Sequence, residues 1–225
     1  MLRVLATAAL ALAATAEAGM PFTFPGMPSA RRKPNPAVAA LADYSAVLHT
    51  NLGDLTVRLD AEDAPNAVRN FIKLAQQGLY DGSRITCIFK DRMLVAGDPT
   101  GTGKGDSGTT LPFERSFERA LAGSLALDRR PDEPDPDAKG GKPRRVNSGS
   151  RILILLADQR HLDGDYTIFG AITDGLDVAK RLGAATTTPN DGRPAPVEDL
   201  VIERVTVKKP SPEPPQPAAK AAKGG

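Results

Sequence analysis

Few side chains in this sequence have the chemistry to attack, coordinate or cradle a ligand. The single cysteine is Cys87, and the two imidazoles are His49 and His161. None of the three stands at the spacing by which a chain presents a set of metal ligands, so no metal is expected. No Gly-x-Ser-x-Gly turn is present to raise a serine nucleophile. The run GDPTGTGKGD at 97–106 has the glycines of a phosphate loop. Five positions before Gly103, however, stands Asp98 where a glycine is required, and Gly105 replaces the hydroxyl residue after Lys104. Hydrolase, metalloenzyme and nucleotide chemistry therefore have no foothold, and no cofactor is expected. The net charge is +2 with basic residues interleaved among Asp and Glu, so nucleic acid is not an expected partner either.

Whatever chemistry remains must be held by the elements around these residues. Leu55, Val57 and Leu59 alternate with Thr56 and Arg58, which predicts strands over 44–50 and 54–60 joined through Asn51-Leu52-Gly53. Val68, Phe71, Ile72 and Ala75 recur at three- and four-residue steps behind Pro65, and Gly78 follows, so a helix is predicted over 65–77. Further strands are predicted at 85–89, 93–96, 124–127, 152–156, 166–172 and 200–207, with a second short helix at 176–182. Many short strands with two helices suggest a barrel.

At 225 residues, with 40% apolar and 25% charged side chains, the chain suits one domain with tails. Aromatics make up only 4% and Trp is absent, so core and pocket must be mainly aliphatic. Met1-Leu2-Arg3, an apolar run at 4–14 and Ala16-Glu17-Ala18 have the form of a cleavable signal. The expectation is export to the periplasm or the extracellular space, with cleavage near Ala18. That apolar run is too short to span a bilayer, so no stable membrane insertion is expected. The divisions predicted are a signal at 1–18, a Pro-rich linker at 19–42, a domain at 43–208 and a disordered tail at 209–225. One thiol allows no intramolecular disulfide, and a monomer is expected.

Five segments, in this order, carry a resemblance: NLGD at 51–54, APNAVRNF at 64–71, GLYDG at 78–82, GDPTGTG at 97–103 and LDGDYTIFG at 162–170. Together they resemble the cyclophilin family of peptidyl-prolyl cis-trans isomerases over about 44–207. The resemblance implies a mainly β fold, a closed eight-stranded antiparallel cyclophilin-like β-barrel capped by two α-helices, with a groove on its outer face. It also implies a proline-containing polypeptide as client.

Rotation about an amide C–N bond faces a barrier of about 18–20 kcal/mol, so X-Pro isomers exchange slowly unaided. Catalysis needs no nucleophile, only a pocket for the ring and donors preorganised for the twisted amide. The family uses an arginine for this. The resemblance places Cys87 at that position, and a neutral thiol is a weak donor without a guanidinium's bidentate geometry.

The other groove positions implied are Met93, Val95, Asp128, Arg129, Ile152, Leu153, His161, Leu162 and Tyr166, most of them departing from the family's side chains. Arg92 and Arg151 are the candidate substitutes for the missing guanidinium. Weak isomerase activity on X-Pro segments of exported polypeptides is the resulting expectation, with a non-catalytic binding or scaffold module as the alternative. The stretch 129–147 is rich in charge and proline and is predicted to be an extended, mobile insertion beside the groove.

Overall fold

The computed structural model describes residues 44–138, 141–188 and 192–209, together with Val38, Ala40 and Leu41. The signal expected at 1–18, nearly all of the linker expected at 19–42 and all but the first residue of the expected tail lie outside the described residues.

The strands are β1 (Ser45–Thr50), β2 (Gly53–Leu59), β3 (Ser83–Arg84), β4 (Cys87–Phe89), β5 (Met93–Ala96) and β6 (Thr110–Pro112), followed by β7 (Ser124–Arg129), β8 (Val146–Leu155), β9 (Ile168–Asp174) and β10 (Val201–Lys208). They form one curled sheet of the order β3-β10-β1-β2-β9-β7-β8-β5-β4, with β6 beside β8, and neighbouring strands run antiparallel. Alternation sends Leu48, Leu55, Val57, Leu94, Leu125, Leu127, Ile152, Ile154 and Phe169 into one interior cluster.

Helix α1 (Pro65–Gln76) closes over this interior with the apolar stripe read from its spacing: Val68, Phe71, Ile72 and Ala75 are buried. Phe71 packs its ring against Tyr80 at 5.2 Å and Phe169 at 5.4 Å. No side chain of its own N-cap satisfies the first turn. Glu114 reaches in instead, its carboxylate accepting from Asn66 N at 3.0 Å and Ala67 N at 2.9 Å. Helix α2 (Leu176–Gly183) contributes Val178, Ala179 and Leu182 to the same cluster.

The described pairing is an open path of nine strands with β6 beside β8. Three expectations are corrected. First, the strand expected at 85–89 is broken because the chain changes partners there. Arg84 pairs with Val201 on β10, Cys87 pairs with Val95 on β5, and between them Ile85 N donates to Leu200 O at 2.8 Å.

Secondly, the stretch at 129–147 is tied at its base. Arg129 pairs with Asn147, Arg130 N donates to Val146 O, and Glu133 and Arg144 exchange backbone hydrogen bonds of 3.0 and 2.8 Å. Cross-strand bonding thus extends a stem to Glu133 and Arg144 at the two ends of that stretch, where none was expected. Thirdly, β9 begins at Ile168, so Tyr166 and Thr167 precede the strand in which they were placed.

Candidate functional site

On the opposite face of the sheet a second apolar cluster forms, and strand register explains it. Cys87 pairs with Val95, Val95 with Leu153, Leu153 with Ala126, and Ala126 with Ile168, giving one row across β4, β5, β8, β7 and β9. These five are buried together with Ala120, Leu155 and Leu162, and Phe89, Met93 and Tyr166 pack half-buried against them. Phe89, Met93 and Leu155 make a second, parallel row. The result is an aliphatic floor with a partly exposed aromatic and thioether rim.

Ionic groups lie along one margin of this floor. Asp128 stands two residues beyond Ala126 on β7, and Arg151 two before Leu153 on β8, so alternation puts both on the groove face. Their ion pair measures 2.6 Å, with the Arg151 side chain 6% exposed and that of Asp128 15%. Arg151 Nη1 also donates to Gly103 O at 3.3 Å, and Arg193 Nη1 donates to the same carbonyl at 2.7 Å.

Burial pushes the Asp128 carboxyl above its ordinary range, with Arg151 and Arg193 pulling the other way. Burial likewise raises the Cys87 thiol, opposed by Arg193 and reinforced by Asp128. The Tyr166 phenol is raised by burial first and by Asp128 second. One charge cluster therefore acts on thiol, carboxyl and phenol together.

The loop at 97–106 folds around a carboxylate rather than a phosphate. Asp98, 1% exposed, accepts from Thr100 N at 2.8 Å, Thr100 Oγ1 at 2.7 Å and Gly105 N at 3.1 Å. Burial alone would raise that carboxyl, but the hydrogen bonds from Thr100, Gly105 and Gly103 together hold it below the usual range. The loop leaves β5 through Gly97, where φ is +81° and a Cβ would sit 2.3 Å from Ser150 O. Only glycine permits that approach.

The structure thus gathers Cys87, Met93, Val95, Leu153, Leu162 and Tyr166 in one cluster and sets Asp128 and Arg151 beside it. Ile152 is a correction: the pleat turns it inward, where it is 0% exposed in the interior cluster. Arg92 is exposed, its Nε 3.4 Å from Gln159 Oε1, and Arg129 pairs with Asp132 at 3.2 Å on the hairpin stem. His161 is exposed on the 3-10 turn Arg160–Leu162, whose Leu162 is the residue that reaches the floor. Ala126, Leu155 and Ile168 on the floor and Phe89 on the rim are residues that the sequence reading missed, although the two-residue step from Cys87 marked Phe89. Arg193 left no signal in its glycine- and proline-rich surroundings.

Among the described residues no three His, Cys, Asp or Glu side chains are grouped to hold a metal ion. The arrangement is a buried apolar row beneath half-buried Phe89, Met93 and Tyr166, with guanidinium groups at its edge.

The model of the family described as cyclophilin type peptidyl-prolyl cis-trans isomerase/CLD matches residues 45–207. The chain is 36% identical over 152 residues to "Peptidyl-prolyl cis-trans isomerase-like 1" of Rhizopus delemar, covering 64% of this chain and 83% of that protein. It is 34% identical over 168 residues to "Peptidyl-prolyl cis-trans isomerase CYP18-1" of Arabidopsis thaliana, covering 72% and 95%. A crystal structure of a Cryptosporidium parvum cyclophilin type peptidyl-prolyl cis-trans isomerase superposes with a TM-score of 0.62 at 26% identity, covering 75% of this chain and 99% of that one. A second structure from that organism, in the presence of the dipeptide Ala-Pro, gives 0.61 over 74% and 99%. With the matched residues reaching into every described strand and covering both helices, this chain belongs to the cyclophilin-type peptidyl-prolyl cis-trans isomerase family.

Proposed function

We propose that this protein binds X-Pro segments of extended polypeptides on its outer face and isomerises them weakly. The observation that carries the reading is the apolar row Cys87-Val95-Leu153-Ala126-Ile168 with half-buried Met93, Phe89 and Tyr166 at its rim, in which the position expected to hold an arginine holds a buried thiol. The Ala-Pro dipeptide named for the Cryptosporidium relative supports the choice of ligand class. Losing one preorganised donor lowers a rate by about 100- to 1,000-fold, which is the reason for a weak enzyme.

The clients in this reading are exported polypeptides, the signal at 1–18 being the support, and the protein acts as a monomer. We further read the segment from Ser83 to Phe89 as one interrupted seam strand that joins β10 to β5 and completes an eight-stranded barrel. The short covalent step between β3 and β4 supports this.

A non-catalytic binding module is the second reading, favoured by the absence of a polar side chain at Val95 and Cys87. Exchange spectroscopy on a tetrapeptide with one Ala-Pro bond separates the two. Accelerated cis-trans exchange on addition of the protein establishes the enzyme. Binding with no change in exchange leaves the module.

A further inference from the structure

The groove lacks the arginine of β4 but not a guanidinium beside β4. After α2 the chain turns back on itself in an irregular hairpin. Thr188 N donates to Ala195 O at 2.9 Å, Val197 N to Thr186 O at 2.8 Å, and Thr187 pairs with Pro196. The returning limb docks on the edge of β4, where Ile88 N donates to Pro194 O at 2.8 Å. Ile88 follows Cys87 and Pro194 follows Arg193, so this one bond sets Arg193 alongside the cysteine.

Its side chain is aimed by a second contact. Arg193 Nη1 donates to Gly103 O at 2.7 Å, and Gly103 lies over Thr86, the residue before Cys87, where a Cβ on that glycine would be 3.6 Å from Thr86 Cβ. Arg151 shares the same carbonyl, but its guanidinium is buried and committed to Asp128 at 2.6 Å. Arg193 is exposed and bears no carboxylate among its described hydrogen-bond partners. Among the described residues only one of its five side-chain N–H donors has a partner, the Gly103 carbonyl.

We infer that Arg193 supplies the guanidinium for the groove, contacting the carbonyl of a bound X-Pro segment from the hairpin docked on β4 in place of the side chain missing at Cys87. The inference rests on the X-Pro reading above. The opposing pull of Arg193 on the Cys87 thiol and the Asp128 carboxyl agrees with the placement, since both feel its charge. The Arg92 guanidinium is directed toward Gln159, its Nε 3.4 Å from Gln159 Oε1. The Asp128–Arg151 pair has a separate part: it removes the competing carboxylate that would otherwise capture Arg193.

The test uses the full chain and a tetrapeptide containing one Ala-Pro bond, with both peptide affinity and cis-trans exchange read by NMR. Arg193→Ala is expected to lower exchange by about 100-fold, or to background where the wild type is already slow. Arg193→Lys keeps the charge but not the planar fork, and is expected to fall between Arg193→Ala and the wild type. Arg204→Ala, which removes an exposed cation from β10, leaves exchange unchanged. Cys87→Arg in the Arg193→Ala background is expected to restore part of the lost exchange.

Should exchange and affinity in Arg193→Ala equal those of the wild type, this assignment is overturned while the X-Pro reading stands. Where the wild type binds without accelerating exchange, affinity is the readout, and a loss of at least about tenfold in Arg193→Ala is required. A wild-type protein that does not bind the peptide at all removes the X-Pro reading itself, and this inference with it. An equal loss of exchange and melting temperature in Arg193→Ala but not in Arg193→Lys would make the residue a strut for the hairpin and overturn the contact proposed.

Discussion

β8 separates two environments that differ more than their shared backbone suggests. Its inward residues Ile152 and Ile154 join an interior cluster of buried apolar side chains. Its outward residues Leu153 and Leu155 build the groove floor, and Arg151, one step along, is buried with its charge. The interior gains stability by excluding water from hydrocarbon, and geometry there tolerates no ionic group. The groove buries a cation, a carboxyl and a thiol within the same few residues, a costly arrangement for a surface that serves packing alone. Two faces of the same strands have thus been given different work.

The largest effect that would sharpen this contrast is expected in the interior. Phe169 is 0% exposed and packs on Phe71, so Phe169→Ala should cost about 3–5 kcal/mol in urea unfolding. Peptide affinity per folded molecule should not change. A matching loss of affinity would show that interior and groove are mechanically one unit.

The second effect lies in the groove. Arg151→Met leaves the buried Asp128 carboxyl without its partner and should cost about 3 kcal/mol. Asp128→Asn leaves the Arg151 guanidinium, the more buried of the two, without its carboxylate and should cost a similar amount. The pH dependence follows with a definite sign. A folded-state value above the unfolded one gives a contribution fully present below the unfolded value of 3.8 and lost as pH rises through the folded value. The stability of Asp128→Asn relative to wild type should therefore improve as pH rises through that window. A decline instead would mean that the Arg151 attraction dominates, and that the groove pair is a net stabiliser.

How far the sequence discloses these two faces depends on how local the cause is. Helix α1 was readable because Val68, Phe71, Ile72 and Ala75 fall on one stripe and Pro65 fits its first turn. The beginning of β8 was hidden: Asn147, Ser148, Gly149, Ser150 and Arg151 are mostly polar and precede the strand expected at 152–156, yet Asn147, Ser148 and Ser150 are 0% exposed. Their polar groups are answered by distant residues, Ser150 Oγ by Ser107 N at 2.9 Å and Asn147 Nδ2 by Thr167 Oγ1 at 3.0 Å. No window along the chain contains those partners. The same holds for Glu114 capping α1, and above all for Arg193, whose neighbour Cys87 is brought to it only by the docking of the hairpin on β4. The resemblance works by aligning strands, and for that reason the residues it named on strands, such as Val95 and Leu153, fall into one cluster while a loop residue such as Arg193 went unnamed. It could not tell Ile152 from Leu153, where a single step in the pleat decides which face a side chain serves.

The smallest effect concerns Cys87, and it tests whether the groove floor is as dry as the interior. Reaction with a thiol reagent requires an exposed thiolate. Cys87 is 1% exposed, and its burial raises the thiol above its ordinary value of 9.0 against the pull of Arg193. In the folded protein at pH 8 a disulfide reagent should therefore label it only as fast as the floor opens, and in denaturant at the rate of a free thiol. Arg193→Ala should slow native labelling further by removing the charge that favours the thiolate, while Asp128→Asn should speed it. Stability carries the same sign as for Asp128. The contribution of the thiol is intact below 9.0 and is lost as pH rises through the folded value, so wild type should weaken against Cys87→Ala only on the alkaline side. Native labelling at the free-thiol rate would break the comparison from which these tests start, because a floor that admits a charged reagent to Cys87 is part of the solvent-exposed surface and no extension of the core.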